Sequence, residues 1–153
     1  AEDTATPRVA SIQNEYSLMC RLADTDLAEL MVNEDVSLLP FSPLAAGLLT
    51  GKYQNGAVPA GSRMSLNKDL GGRRTERAFA AVDAYLAVAA DFGVDPVHMA
   101  LDWSARRPFV AASIFGATTL EQLERLLGAR DVTLPPELLA RLDDVHKAHP
   151  MPY

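Results

Sequence analysis

The stretch from Val36 to Tyr53, VSLLPFSPLAAGLLTGKY, limits what this chain can fold into more than any other. Its apolar opening, Val36-Ser37-Leu38-Leu39, is long enough for a buried strand and too short for a helix. Pro40 interrupts the run and Pro43 comes soon after it. A proline has no N–H to give a sheet ladder, so the strand ends near there. The residues beyond it are small and flexible: Ala45, Ala46, Gly47, Thr50 and Gly51, closed by Lys52. Backbone can approach a phosphate where side chains are absent, and a lysine supplies a point charge. The stretch therefore suits a phosphorylated ligand. An ordinary strand-to-loop exit with a solvated lysine has the same composition. A Walker phosphate loop is excluded, because three residues separate Gly47 from Gly51 and Tyr53 stands where Ser or Thr should reach magnesium.

The 153 residues, 48% of them hydrophobic, are enough for one domain (1–153) with a real core. A net charge of −6 argues against nucleic acid or an anionic membrane as partner. No apolar run reaches a membrane span, and the opening AEDTATPR lacks the apolar core of a signal peptide. The single cysteine, Cys20, fits a reducing compartment and is read as a small hydrophobe, so a cytoplasmic location is expected. His98, His146 and His149 are too few for a metal site; the last two read as cations at a helix C-terminus.

Taken in order, Arg8 to Tyr16 reads as a strand turning polar at Gln13, Asn14 and Glu15. Polar groups at the C-terminal end of a strand are where barrels and open α/β enzymes keep their sites. A helix from about Asp24 to Glu34 with Leu27, Leu30 and Met31 on one face leads to the strand Val36 to Phe41. Strand, helix, strand implies a parallel sheet. Residues 54–74 form a loop too long to be idle, and a basic one, with Arg63, Lys68, Arg73 and Arg74 following Lys52. Helices are predicted for Thr75 to Phe92, with Phe79, Val82, Leu86 and Ala89 or Ala90 inward, and from Asp95-Pro96 to Arg106, with Trp103 in the core. Phe109 to Phe115 is predicted as a third buried strand, entering Gly116-Ala117-Thr118-Thr119 and a helix with Leu120, Leu123, Leu126 and Leu127 on its apolar face. Thr118 with Glu121, or Thr119 with Gln122, makes a capping box, and a glycine before a capped helix suits an anion. A plain βα turn fits equally. Leu134 to His149 closes the chain as a helix with Leu138, Leu139, Leu142 and Val145 buried.

Three stretches, SIQNEYSL, LLPFSPLAAGLLTGKY and ASIFGATTLEQLERLLG, together resemble the last three strand ends of the aldo-keto reductases, in the same order. The likeness is greatest to the branch holding Tas-like reductases and potassium-channel β subunits, and it runs to the terminal HPMPY. It implies an α/β fold that is the C-terminal part of a (β/α)8 barrel, about three parallel strands with flanking helices, where a whole barrel takes about 250 residues.

The resemblance also implies NADPH or NADP+ as cofactor. Gln13 would hold the nicotinamide carboxamide and Phe41 would stack on its ring. Ser42, Leu44 and Gly47 would line the pyrophosphate, with Lys52 and Arg63 near it or near the adenosine phosphate. Gly116, Thr118 and Gln122 would hold the adenosine end, and the 54–74 loop becomes a cofactor clasp. These cations would favour NADPH over NADH, whose missing phosphate carries about two charges. The family often follows the Gln122 position with a Glu-Asn pair that contacts adenine; here Arg125 and Leu126 stand there. The family's catalytic Asp, Tyr, Lys and His lie on earlier strands, and nothing here matches them. The expectation is the cofactor half of an enzyme that reversibly reduces an aldehyde or ketone, inert alone and short of an N-terminal half. The alternatives are a cofactor-binding regulatory module, or a structural half that pairs with another chain. An opened barrel would also self-associate through its free edges.

Overall fold

The computed structural model describes residues 7–153, so the reading of the opening residues 1–6 lies outside it. Strands β1 (Ser11–Glu15) and β2 (Ser37–Phe41) run parallel, with Ser11 opposite Ser37 and Glu15 opposite Phe41. The crossover between them is a 3-10 turn, Leu22–Asp24, and helix α1 (Leu27–Glu34). Parallel neighbours need such a crossover. β1 starts at Ser11 rather than Arg8, and α1 starts at Leu27 because Leu22–Asp24 winds tighter.

The third predicted strand departs from expectation. Phe109 to Phe115 joins β2 only through two parallel bridges, Leu38 with Val110 and Phe41 with Ile114. Leu38 donates its N–H to Phe109 O at 2.7 Å and accepts from Ala111 N at 3.0 Å. The next rung would need an N–H from residue 40, which is proline. The ladder resumes one residue out of step, with Ile114 N donating to Pro40 O at 2.7 Å. Three steps along β2 thus face four along its neighbour, which is a bulge. Among the described residues the regular sheet is therefore two strands, not three.

The sheet has two unlike sides. Leu38 and Pro40 are buried, and Ile12 packs against the same core. By register, Ser11, Gln13 and Glu15 share the other side with Ser37, Leu39 and Phe41. That side is open: Gln13 and Phe41 are exposed.

The covering layer is helical. After the short helix α2 (Arg63–Leu66) come α3 (Glu76–Asp91), α4 (Pro96–Ala105), α5 (Leu120–Leu127) and α6 (Pro136–Ala148). Thr75 caps α3 by accepting from Ala78 N, and Asp95 caps α4 by accepting from Val97 N ahead of Pro96. Val82, Tyr85 and Val88 of α3, Met99 and Trp103 of α4, and Leu138 and Leu142 of α6 close over Leu38, Leu48 and Leu49. Trp103 is buried as expected, but its partners are not small: Tyr16 stacks on it at 5.2 Å, and the guanidinium carbons of Arg21 and Arg107 each lie 4.4 Å from its ring centre. On α5 the predicted four-leucine face is cut to one, since only Leu126 is buried, against Val97, Leu101 and Ala129. Leu120, Leu123 and Leu127 face outward. No helix among the described residues is long and apolar enough to cross a membrane.

Candidate functional site

The exit of β2 is built from residues in an unfavourable backbone region. Ser42, Ala45 and Ala46 have φ of 54°, 49° and 57°, and Gly47 has 94°. An L-residue in the left-handed region costs about 1–2 kcal/mol, and it persists only where its surroundings fix it. Here the buried Ala45, Leu48 and Leu49 pin the turn from below. Thr50 Oγ1 donates to Gly47 O at 2.8 Å and accepts from Lys52 N at 3.3 Å. A Cβ on Gly47 would lie 3.1 Å from Lys52 Cε and 3.2 Å from its Nζ. The missing side chain is therefore the space through which the lysine reaches the turn. Lys52 Nζ sits 5.1 Å from the ring centre of Tyr53, and none of the ion pairs among the described residues uses Lys52, Arg63 or Lys68.

The predicted site residues fall into three groups. Gln13 and Phe41 stand on neighbouring strands on the open side of the sheet. Ser42, Leu44, Gly47 and Lys52 belong to the single turn at the β2 exit. Gly116 and Thr118 lie in a second turn, ahead of α5, and Gln122 in the first turn of that helix. There Thr119 is the cap, accepting from Gln122 N at 3.2 Å. Gln122 Oε1 accepts from Thr118 N at 3.0 Å and from Thr118 Oγ1 at 3.1 Å. Of the two capping boxes open in the sequence, the structure forms the Thr119 half of the second, with the Gln122 side chain reaching back to Thr118 instead of to Thr119 N. The carbonyl end of Gln122 is committed to that turn, whereas Gly116 is exposed with nothing within 4 Å of the place of a Cβ.

Arg63 stands apart from these groups as the first residue of α2. Segment 54–74 is less loop-like than its sequence suggests: it holds a 3-10 turn at Gln54–Gly56 and α2, anchored by the buried Met64 and Leu70. Tyr53 OH accepts from Met64 N at 3.3 Å. One of its cations is not free for a ligand and another touches only backbone. Arg73 is bound to Glu15, and Arg74 donates to Lys68 O at 3.4 Å. Arg125 forms a two-pronged pair with Asp95 at 2.8 and 2.9 Å.

Sequence reasoning does not find the cluster at the C-terminal end of β1, where Glu15 accepts from both Arg73 and Tyr153. Its members are 58 and 138 residues apart from Glu15, so no local spacing announces it. Each tyrosine is also occupied. Tyr16 OH donates to Asp24 at 2.6 Å and accepts from Arg107 Nε at 3.0 Å, and Tyr85 OH donates to Leu18 O at 2.7 Å. Burial raises the pKa of the Tyr16, Tyr85 and Tyr153 hydroxyls, and Asp24 and Glu15 push the first and last higher still.

The sequence model of the Aldo/keto reductase family matches residues 1–147. The chain belongs to the aldo/keto reductase family. It is 42% identical to "Protein tas" of Escherichia coli (strain K12) over 146 residues, covering 95% of this chain and 42% of that one. It is 34% identical over 144 residues to the "Probable voltage-gated potassium channel subunit beta" of Arabidopsis thaliana, covering 90% and 44%. It is also 36% identical over 138 residues to the "L-glyceraldehyde 3-phosphate reductase" of Escherichia coli O157:H7, covering 86% and 40%. The chain spans less than half the length of these relatives. The parallel α/β unit is consistent with part of an aldo/keto reductase barrel.

Proposed function

We propose that residues 1–153 are one unit, the C-terminal cofactor-binding part of an NADPH-dependent aldo/keto reductase barrel that converts an aldehyde or ketone to an alcohol. The turn from Ser42 to Gly47, with Lys52 reaching through the space a side chain would fill, carries this reading. The turn closes on itself, Ala45 N donating to Ser42 O at 2.8 Å and Gly47 N to Leu44 O at 2.9 Å, so the charge offered to a phosphate is the Lys52 ammonium brought close where Gly47 has no side chain. Phe41 offers an exposed ring face, and Gln13 offers an amide on the same side of the sheet to hold a carboxamide. Arg63 and Lys68, outside the ion pairs of the described residues, supply charge for a further phosphate. Gly116 and Thr118 give the second turn an open approach for the adenosine end, with Gln122 shaping it. NADPH, when bound, supplies the hydride.

The chain does not itself supply the acid. Proton donation by a tyrosine beside a lysine needs a hydroxyl of lowered pKa. Tyr53 is the tyrosine beside Lys52, and its hydroxyl is buried against Met64 N. The 153-residue chain therefore binds cofactor without turnover, and the remaining strands of the barrel come from outside residues 1–153.

The test is an equilibrium titration of NADPH, with NADH beside it, into the 153-residue chain. Saturable binding that favours NADPH and weakens about tenfold or more in Lys52→Ala is expected, the scale of a lost charged hydrogen bond. A folded chain that binds neither nucleotide refutes the cofactor reading. Steady NADPH oxidation with a nitrobenzaldehyde, in protein freed of contaminating reductase, refutes the inert half.

A further inference from the structure

Three distant parts of the chain end on one carboxylate. Arg73 donates through Nε to Glu15 Oε1 at 3.1 Å and through Nη2 to Oε2 at 2.5 Å, and Tyr153 OH donates to Oε1 at 3.0 Å. The guanidinium carbon of Arg73 lies 5.2 Å from the centre of the Tyr153 ring. Arg73 also donates to Leu70 O at 3.0 Å and Gly71 O at 3.3 Å, which ties off the end of the 54–74 segment. The tail is fastened further back, with Thr75 Oγ1 donating to Pro152 O at 3.1 Å and Arg77 Nη2 to Pro150 O at 3.4 Å.

The pair is sheltered, the Arg73 and Glu15 side chains being 17% and 19% exposed. A forked guanidinium on a carboxylate is among the stronger and more directional polar contacts, and low exposure limits its screening by salt. Burial and the Glu15 charge keep the Tyr153 hydroxyl protonated, so it stays a donor. Position gives the cluster its meaning. Glu15 is the cross-strand partner of Phe41 and lies two residues beyond Gln13 on the same open side.

We propose that Glu15, Arg73 and Tyr153 form a strap by which the chain's last residues hold the basic 54–74 segment against the strand end that carries Gln13 and Phe41. The assignment of a cofactor to that strand end rests on the proposed cofactor-binding function; the strap itself does not. Arg73 is then a positioning residue rather than a phosphate ligand, and Tyr153 acts on the site only through Glu15 and Arg73.

Two readings on the full 153-residue chain test this, with Tyr153→Phe, Glu15→Gln and the double variant compared to the parent. The first is amide hydrogen exchange across residues 57–74. Removing the one hydroxyl of Tyr153 is expected to speed exchange there, with α3 and α6 and the urea midpoint unchanged. The second is NADPH affinity. Each single variant is expected to bind several-fold more weakly and the double no more weakly than the worse single, because all three groups act as one unit. Unchanged exchange over 57–74 in Tyr153→Phe overturns the strap, as does additive loss of affinity at a lowered midpoint, the mark of a merely structural role. A parent chain that binds no NADPH refutes the cofactor reading, and exchange then still decides the strap. Should Glu15→Gln fail to fold, Tyr153→Phe alone carries both readings.

Discussion

At Gly47, a φ of 94° and a lysine Cε 3.1 Å from the place of a Cβ act in the same direction. Gly47→Ala should lower stability by about 1–2 kcal/mol through backbone strain alone. It should also push Lys52 off the turn. The check is a urea midpoint that drops with an unchanged slope, together with a loss of NADPH affinity beyond that of Lys52→Ala. The prolines, glycines and lysine of this turn are local in sequence, which is why the turn is legible there. The left-handed φ of Ser42, Ala45 and Ala46 is not, because none of these residue types advertises it. Arg73 is deceptive for a related reason. A cation in a basic run looks free until the fold brings a carboxylate from 58 residues away.

Among the elements, α4 and α5 are joined by Asp95, which accepts from Val97 N and from both prongs of Arg125. Burial pushes the Asp95 carboxyl pKa up, but the Arg125 bonds, the Val97 N–H and the charges of Arg125 and His98 outweigh it. The result lies below the ordinary 3.8. A carboxyl whose folded pKa is depressed adds stability that is present above its unfolded pKa and is lost as pH falls through the folded one. Asp95→Asn keeps a good cap and removes the charge. Its deficit in urea unfolding should therefore be constant near neutral pH and shrink as pH drops below about 4. Sequence periodicity locates these helices well, since caps such as Thr75 and Asp95 are read within four residues. It cannot say which face of α5 is covered. The leucine stripe is real, but its covering cluster is small, drawn from α4, Ala129 and Leu44, so Leu126 is buried and Leu120, Leu123 and Leu127 are not. The third strand fails for a reason that lies in the neighbouring one: Pro40 withholds a rung.

For the whole molecule, the open side of the sheet sets the solution behaviour. Phe41 and Ile114 are 38% and 39% exposed there, and the outer edge of β1 has no partner among the described residues. Exposed edges and apolar faces recruit other chains. The chain should sediment as dimers or larger species at micromolar concentration, and Ile114→Lys should shift it toward monomer; a compact, stable monomer for the parent chain would remove the open-barrel reading. The order of strands, crossover and helices is legible in the sequence, but the sidedness is not, since it depends on register. The bulge adds a constraint of a different kind. From Val110 to Ile114 is an even number of steps, which in an unbroken strand would put both on one face. The extra residue lets Val110 face the helices with Leu38 and Ile114 face outward with Phe41. Deleting Ala111 or Ala112 would thus remove the bulge without restoring the rung that Pro40 withholds, and everything from Ser113 to Gln122 would be delivered half a turn out of phase. Substitutions at these two exposed alanines should be tolerated where a change in chain length is not.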